Sequence, residues 1–328
     1  MAVFSFNYPA IRDFSYGLVG PENFELRMLF VGDVMLARHL ETLINNSGPA
    51  YPFLGLGSMV RNYDHVIGNF EAPVGINHVQ TKKGSFNFSV ASSSISDIAD
   101  YFSLLSLANN HTLDQGDSSF INTKEQLKES GAGTFGHPLQ LNDSSVEYLN
   151  YGEQKVALIA INNVTSKVSS TTFDFMEVVS KKSDMQIVYI HWGDEYEPVH
   201  NLEQEQLAKR LIDLGADAII GHHPHVIQDI GLYKGAPIFY SLGNFIFDQY
   251  FSDEVQVGLA VELKIVNNSI SYHLIPFDST NTPGSPRLMS VDKKIQLFQT
   301  LAEKSSPEIS QSIAENGTII VTGTLASL

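Results

Sequence analysis

Cysteine is absent from the 328 residues, which removes thiolate nucleophiles, disulfide staples and Cys-ligated zinc together. Any metal held by this chain must use His, Asp, Glu or Asn. Basic residues are scarce as well: 20 Lys and Arg stand against 36 Asp and Glu, a formal net charge of −16. That balance argues against broad, nonspecific binding to nucleic acid or anionic membrane, since both reward cationic surfaces. It leaves room for an anionic substrate, small molecule or polymer, at one local site. No stretch approaches the ~20 uninterrupted apolar residues that cross a bilayer. The opening from Met1 to Ala10 has neither the basic nor the apolar region of a signal peptide. The expectation is a soluble, cytoplasmic chain, with cell-envelope association where a leader has been removed. No period of about 20 to 50 residues recurs, which argues against solenoids and propellers.

What is present is globular: 43% hydrophobic and 17% charged residues, in a length that suits one large domain or two ordinary ones. Apolar runs at Met28–Val31, His65–Ile67, Phe102–Leu107, Lys155–Ile161, Gln186–Ile190, Asp217–Ile220 and Pro237–Tyr240 read as strands. Helical segments are expected from about Ala37, over Ser118–Ser130 and over Leu202–Leu214, where Leu207, Leu211 and Leu214 share a face. Val255–Leu263 and Ile270–Ile275 read as a hairpin, and the tail from about Asp292 as a helix plus a short strand. Strands alternating with helices indicate an α/β protein.

Open α/β sheets bind ligands at the carboxyl ends of their strands. Here those ends carry Asp33, Glu71, Asn110 with His111, His191, His223 with His225, and Asn244. Taken singly, Asp33 could be a helix cap and Glu71 a solvated loop acid. Asn110 and His111 offer a hard oxygen ligand beside a proton donor, and Asp114 three residues on could orient the imidazole. The alternative is a turn built by two asparagines. In extended backbone His223 and His225 face one side, stiffened by Pro224, while His222 points away. Two converging imidazoles make a metal half-site, and His191 adds a third. Glu195 and Tyr196 follow closely. Arg38 and Lys83 adjoin the strand-end clusters, where a cation could meet an anionic substrate or simply be a solvated charge. For His39, His65, His78, His137, His200 and His273 a structural role is preferred.

Six motifs in order, spanning roughly residues 27 to 250, resemble the CapA family of bacterial capsule-synthesis proteins linked to poly-γ-glutamate. They begin Gly32-Asp33, Gly68-Asn69-Phe70-Glu71, Asn109-Asn110-His111, His191-Trp192-Gly193, Gly221-His222-His223-Pro224-His225 and Ser241-Leu242-Gly243-Asn244. The family is distantly similar to calcineurin-like metallophosphoesterases. The resemblance implies a four-layer α/β/β/α sandwich of two stacked mixed sheets flanked by helices, with a site for one or two divalent ions (Mn, Zn, Fe or Mg) at the sheet edge. It implies an N-terminal extension over 1–26, a catalytic-type domain over 27–280 and a C-terminal extension over 281–328 packing on that domain.

By the same resemblance, Asp33 and His225 belong to a first metal, Glu71 stands at the bridging position, and Asn110, His191 and His223 belong to a second. His111 is the general acid, with Asp114 behind it. Arg38, Lys83, Glu195, Tyr196 and Asn244 are the expected substrate contacts. Two departures from metallophosphoesterases stand out. Met35 occupies the place of a ligating His, and its soft thioether suits Mn²⁺ or Mg²⁺ poorly; Glu71 replaces Asp. The expected activity is hydrolysis of a phosphoester or a γ-glutamyl linkage. The alternative from another class is a non-catalytic assembly protein with a closed, structural metal site, and a third is a metal-free binding protein.

Overall fold

Along Met28–Val31 alternate side chains go to opposite faces, as the period of two in a strand requires. Met28 and Phe30 join one buried cluster, Leu29 and Val31 another. A strand buried on both faces needs cover on both sides, and that requirement sets the layer order. The computed structural model describes residues 25–266 and 269–321. The chain runs β1 (Glu25–Val34), α1 (His39–Ser47), β2 (His65–Phe70), β3 (Leu104–Ser106), α2 (Asp117–Ser130) and β4 (Gly133–Phe135). A second run follows: β5 (Val146–Tyr151), β6 (Gln154–Asn162), α3 (Ser170–Ser180), β7 (Met185–His191), α4 (Leu202–Asp213), β8 (Ala218–His222), β9 (Ile230–Tyr233) and β10 (Ala236–Phe239). The chain returns through β11 (Asn244–Ile246), β12 (Val257–Val266), β13 (Ser269–Asp278), β14 (Arg287–Leu288), α5 (Val291–Lys304), α6 (Pro307–Asn316) and β15 (Thr318–Val321).

One sheet has the order β14-β13-β12-β1-β2-β3-β4, with β11 paired to β1 and β15 to β13; the other is β5-β6-β7-β8-β10-β9. Both are mixed: β1 to β4 run parallel and β12 antiparallel to β1, while β6, β7, β8 and β10 run parallel between antiparallel edges. The central core lies between the sheets, where Phe30 and Val261 of the first belong to one cluster with Tyr189 and Ile220 of the second. Leu40 of α1 and Leu127 of α2 cover the outer face of the first sheet, and Met176 of α3 and Leu211 of α4 cover the second. This is the expected four-layer sandwich.

The tail departs from its reading as one helix and a strand. Pro307 can start a helix but not continue one, so α6 begins afresh after α5. Phe298 of α5 and Ile313 of α6 join the inter-sheet cluster, and β15 pairs with β13. The hairpin of β12 and β13 is as expected. Among the described residues no helix is long and apolar enough to cross a membrane.

Candidate metal centre

The carboxyl ends of β1, β2 and β3 meet those of β7 and β8 at one edge of the sandwich. Asp33 stands on β1 in register with Asn69 on β2 and Asn244 on β11. Gly32 permits this: a Cβ there would lie 1.9 Å from the Gly243 carbonyl oxygen, so any side chain would push β11 away. Asn69, which the sequence reading passed over, holds the centre together. Its Nδ2 donates to Asp33 Oδ1 at 2.9 Å and contacts His191 Nδ1 at 3.2 Å and Glu71 Oε2 at 3.4 Å. A carboxylate can only accept, which fixes the orientation of this amide. Its Oδ1 in turn accepts from Asn109 Nδ2 at 3.0 Å. Glu71 is fully buried, not a solvated loop acid, and Asp33 is a strand residue, not a helix cap.

In the second sheet the histidines do not follow simple strand alternation. His223 and His225 do converge, but not through extended backbone: they follow β8 in a bend with φ of 97° and 59°. His222, expected to point away, is buried with its Nδ1 3.4 Å from Asp33 Oδ1, and its ring packs on Tyr189 at 4.1 Å. It is the last residue of β8 and pairs in register with His191, which carries it toward the centre. Left-handed φ is uncommon outside glycine and gathers where function demands it. Of the five such non-glycine residues among those described, His223, His225, Tyr196 and Arg38 stand at or beside this edge.

The ligand atoms of Asp33, Glu71 and His191 lie within 4.8 Å of one another, as do those of Glu71, His223 and His225. Burial pushes the Glu71 carboxyl well up and the Asp33 carboxylate adds to this; burial also pushes Asp33 up, but contacts with His222 and His225 outweigh it and hold Asp33 well below the usual range. His191 is held well below the ordinary imidazole value by burial and by His223, and His223 is lowered to about 4 by burial and by His225. Both rings are neutral near pH 7, the form that ligates metal. Asp33 Oδ2, Glu71 Oε1 and His223 Nδ1 are buried without hydrogen-bond partners. Buried polar atoms are otherwise nearly always paired, and a set of oxygen and imidazole lone pairs directed at one another fits a divalent cation. Met35 does not: its sulfur accepts from Ala37 N–H at 3.0 Å and its side chain belongs to the outer hydrophobic cluster.

Beside this cluster, Asn110 Oδ1 lies 2.8 Å from His191 Nε2. His111 Nδ1 meets Asp114 Oδ2 at 2.8 Å, the pairing expected from their spacing. The turn is shaped by Asn109, whose Oδ1 accepts from His111 N, Thr112 N and the Thr112 hydroxyl.

The family model described as "Bacterial capsule synthesis protein PGA_cap" matches residues 27–249, which is most of the chain and the whole of this centre. The chain belongs to that family. It is 30% identical over 308 residues to the "Capsule biosynthesis protein CapA" of Bacillus anthracis, covering 87% of this chain and 75% of that protein. It is 29% identical over 296 residues to the "PGA biosynthesis protein CapA" of Bacillus subtilis (strain 168), covering 84% and 78%. A hypothetical protein from Thermus thermophilus shares the fold, with a TM-score of 0.51 and 17% identity over 76% of this chain and 99% of that one.

Around the PGA_cap centre the remaining expected residues divide. Asn244 is buried and its amide is fully engaged: Oδ1 with His225 Nδ1 at 2.9 Å, Nδ2 with Gln249 Oε1 and the Val255 carbonyl. It supports a histidine. Arg38 is likewise no free cation, since its guanidinium pairs with Asp248 and lies over Phe88 at 4.7 Å. Its Nε keeps an unused N–H, however, and Arg38 lines a cavity of about 850 Å³ together with Lys82, Lys83, Tyr196 and Phe251. Glu195 is exposed; burial, with Glu195 adding to it, pushes the Tyr196 hydroxyl up to about 12.

Proposed function

We propose that this PGA_cap-family protein is a metal-dependent hydrolase of an anionic substrate, cleaving a phosphoester or a γ-glutamyl amide bond. Water adds across the bond: its hydroxyl goes to phosphorus or to the carbonyl carbon, and a proton goes to the departing oxygen or nitrogen. The observation that carries this reading is the adjacency of two unlike groups. Beside a cluster of unpaired carboxylate and imidazole atoms, Asn110 meets His191, and the next residue in the chain is an imidazole backed by a carboxylate. A structural metal site needs the first of these but has no use for the second.

Asp33, Glu71, His191, His223 and His225, with Asn110, would hold one or two divalent ions. Such an ion, when bound, supplies Lewis acidity that lowers the pKa of water and stabilises negative charge on a reacting oxygen. The rest falls to the protein. Asn69 holds Asp33 and His191 at fixed separation through its Nδ2, so that the two side chains are positioned before binding. Asp114 takes the Nδ1 side of His111 and leaves Nε2 to carry the proton for the leaving group. The cavity lined by Lys82, Lys83 and Arg38 receives the remainder of an anionic substrate: the lysines offer charge where the chain as a whole carries −16, and Arg38, paired with Asp248, offers only its Nε–H.

The test is hydrolysis of p-nitrophenyl phosphate, bis-p-nitrophenyl phosphate, γ-glutamyl-p-nitroanilide and poly-γ-glutamate by protein reconstituted separately with Mn²⁺, Zn²⁺ and Mg²⁺. Turnover of at least one, lost with a chelator and with His111→Ala on unactivated leaving groups, is expected. Full metal occupancy without turnover of any would replace the enzyme with an assembly protein.

A further inference from the structure

The geometry points to Phe88 as a positioning residue for His111. This inference rests on the proposed role of His111 as proton donor. A single hydrogen bond from Nδ1 to Asp114 fixes a line and leaves the imidazole free to turn about it. A face contact removes that freedom. The Phe88 ring supplies one, with its centroid 4.2 Å from that of His111 and the planes 32° apart. The main chain of the same residue acts on Asp114. Phe88 N–H donates to Asp114 Oδ2 at 2.7 Å, the oxygen that meets His111 Nδ1. Ring plane and hydrogen-bond partner are thus both set by one residue.

Phe88 is itself immobilised from several directions. It is buried, the Arg38 guanidinium lies over its ring, and its carbonyl accepts from Gln115 Nε2 at 3.0 Å. The next residue, Ser89, donates its N–H to Thr81 Oγ1 at 2.9 Å. Its hydroxyl meets His78 Nδ1 at 2.9 Å, and His78 Nε2 meets Glu41 of α1 at 2.7 Å. The segment 72–91 is therefore tied to a helix of the scaffold where it delivers this ring. A phenyl recruited only to fill space needs none of these ties to the acid and its carboxylate.

Two measurements test the inference on the full chain. In protein selectively labelled at histidine, the His111 ring protons, assigned against His111→Gln, should be displaced by the Phe88 ring current and relax in Phe88→Leu. The Nδ1 proton facing Asp114 should at the same time exchange faster with water. In kinetics, Phe88→Leu should lower turnover of phenyl phosphate roughly 10- to 100-fold, since small misplacements of a catalytic group have effects of that order. It should change that of p-nitrophenyl phosphate less than about threefold, because a nitrophenolate needs little protonation. Metal content should be unchanged. Phe88→Tyr, which keeps the ring, should retain both the ring shifts and the leaving-group ratio, and it carries the test if the Leu variant does not fold. Unmoved His111 resonances in Phe88→Leu, equal losses on both esters, or a Tyr variant with an altered ratio would overturn the inference. If the wild type hydrolyses neither ester, the leaving-group comparison has no readout and the resonance and exchange measurements decide this inference alone; the functional reading itself fails only if the γ-glutamyl substrates are not turned over either.

Discussion

Asn244 Oδ1 lies 2.9 Å from His225 Nδ1, and both amide protons of Asn244 are engaged elsewhere, so the amide can only accept at this contact. That forces the His225 proton onto Nδ1 and leaves the Nε2 lone pair directed to the side of Glu71, 3.8 Å from Oε1. Partners of this kind commonly change metal affinity 10- to 100-fold, by the order of magnitude known for residues behind metal ligands. Asn244→Ala is expected to lower metal affinity by about that factor. Competition against a fluorescent chelator measures it, with the melting temperature of the metal-free protein as control for folding.

His111→Ala and Asn110→Ala should separate proton delivery from ion binding. His111→Ala is expected to retain its metal and lose roughly 10²- to 10⁴-fold in turnover of esters with poor leaving groups. Asn110→Ala removes an oxygen 2.8 Å from His191 Nε2 and should lose metal and rate together. Metal analysis beside turnover of phenyl and nitrophenyl esters checks both. If His111→Ala strips the metal, its imidazole is a ligand and the assignment of roles is reversed.

The histidines at the ends of β7 and β8 should rank by what they face. His223→Ala and His191→Ala each remove a ligand atom from a converging set and should abolish tight binding. His222→Ala should be intermediate. Without His222 beside it, the Asp33 carboxyl loses one of the contacts that outweigh its burial, so its proton affinity rises and protons compete better for the site. The loss of metal in this variant should therefore be larger at mildly acidic pH than at pH 8, in equilibrium dialysis across that range.

Asp217 gives a pH dependence independent of the centre. Burial raises its carboxyl to about 6, only partly offset by the hydrogen bond from Gln186 N–H at 2.7 Å. A carboxyl whose folded value exceeds its unfolded one stabilises most when protonated, so stability falls as pH rises from about 4 through 6 and then levels. Asp217→Asn keeps an acceptor for Gln186 and carries no charge. It is expected to be more stable than wild type at pH 7 to 8, by no more than about 3 kcal/mol for a carboxyl raised to about 6, and not at about pH 4. Urea titration at the two pH values measures the difference.

The sequence by itself determined where strands end and which chemistry stands at those ends. Apolar runs and the polar residues that follow them are local features, and Asp33, Glu71, Asn110, His111, His191, His223 and His225 are all read from them. The pairing of His111 with Asp114 was legible too, since three residues of turn bring the two together. Helix α3 was not, because its start over Ser169–Thr172 is polar and β-branched and reads as loop, although Met176 and Val179 further on share its buried face with Phe175 packed beside them. What only the tertiary structure decided is where side chains point and what they meet across long chain separations. Arg38 meets Asp248, His78 meets Glu41 and His200 meets Asp229, none of them neighbours in sequence. His222 ends β8, and its pairing with His191 turns it in toward Asp33, while a bend after β8, not extended backbone, brings His223 and His225 to the same centre. Asn69 became the clamp because strand pairing places it opposite Asp33, and Asn244 became a support for His225 because β11 returns to β1. Periodicity reports which face of an element is buried; the partner a buried polar atom finds there depends on strand order and register, which no local pattern encodes.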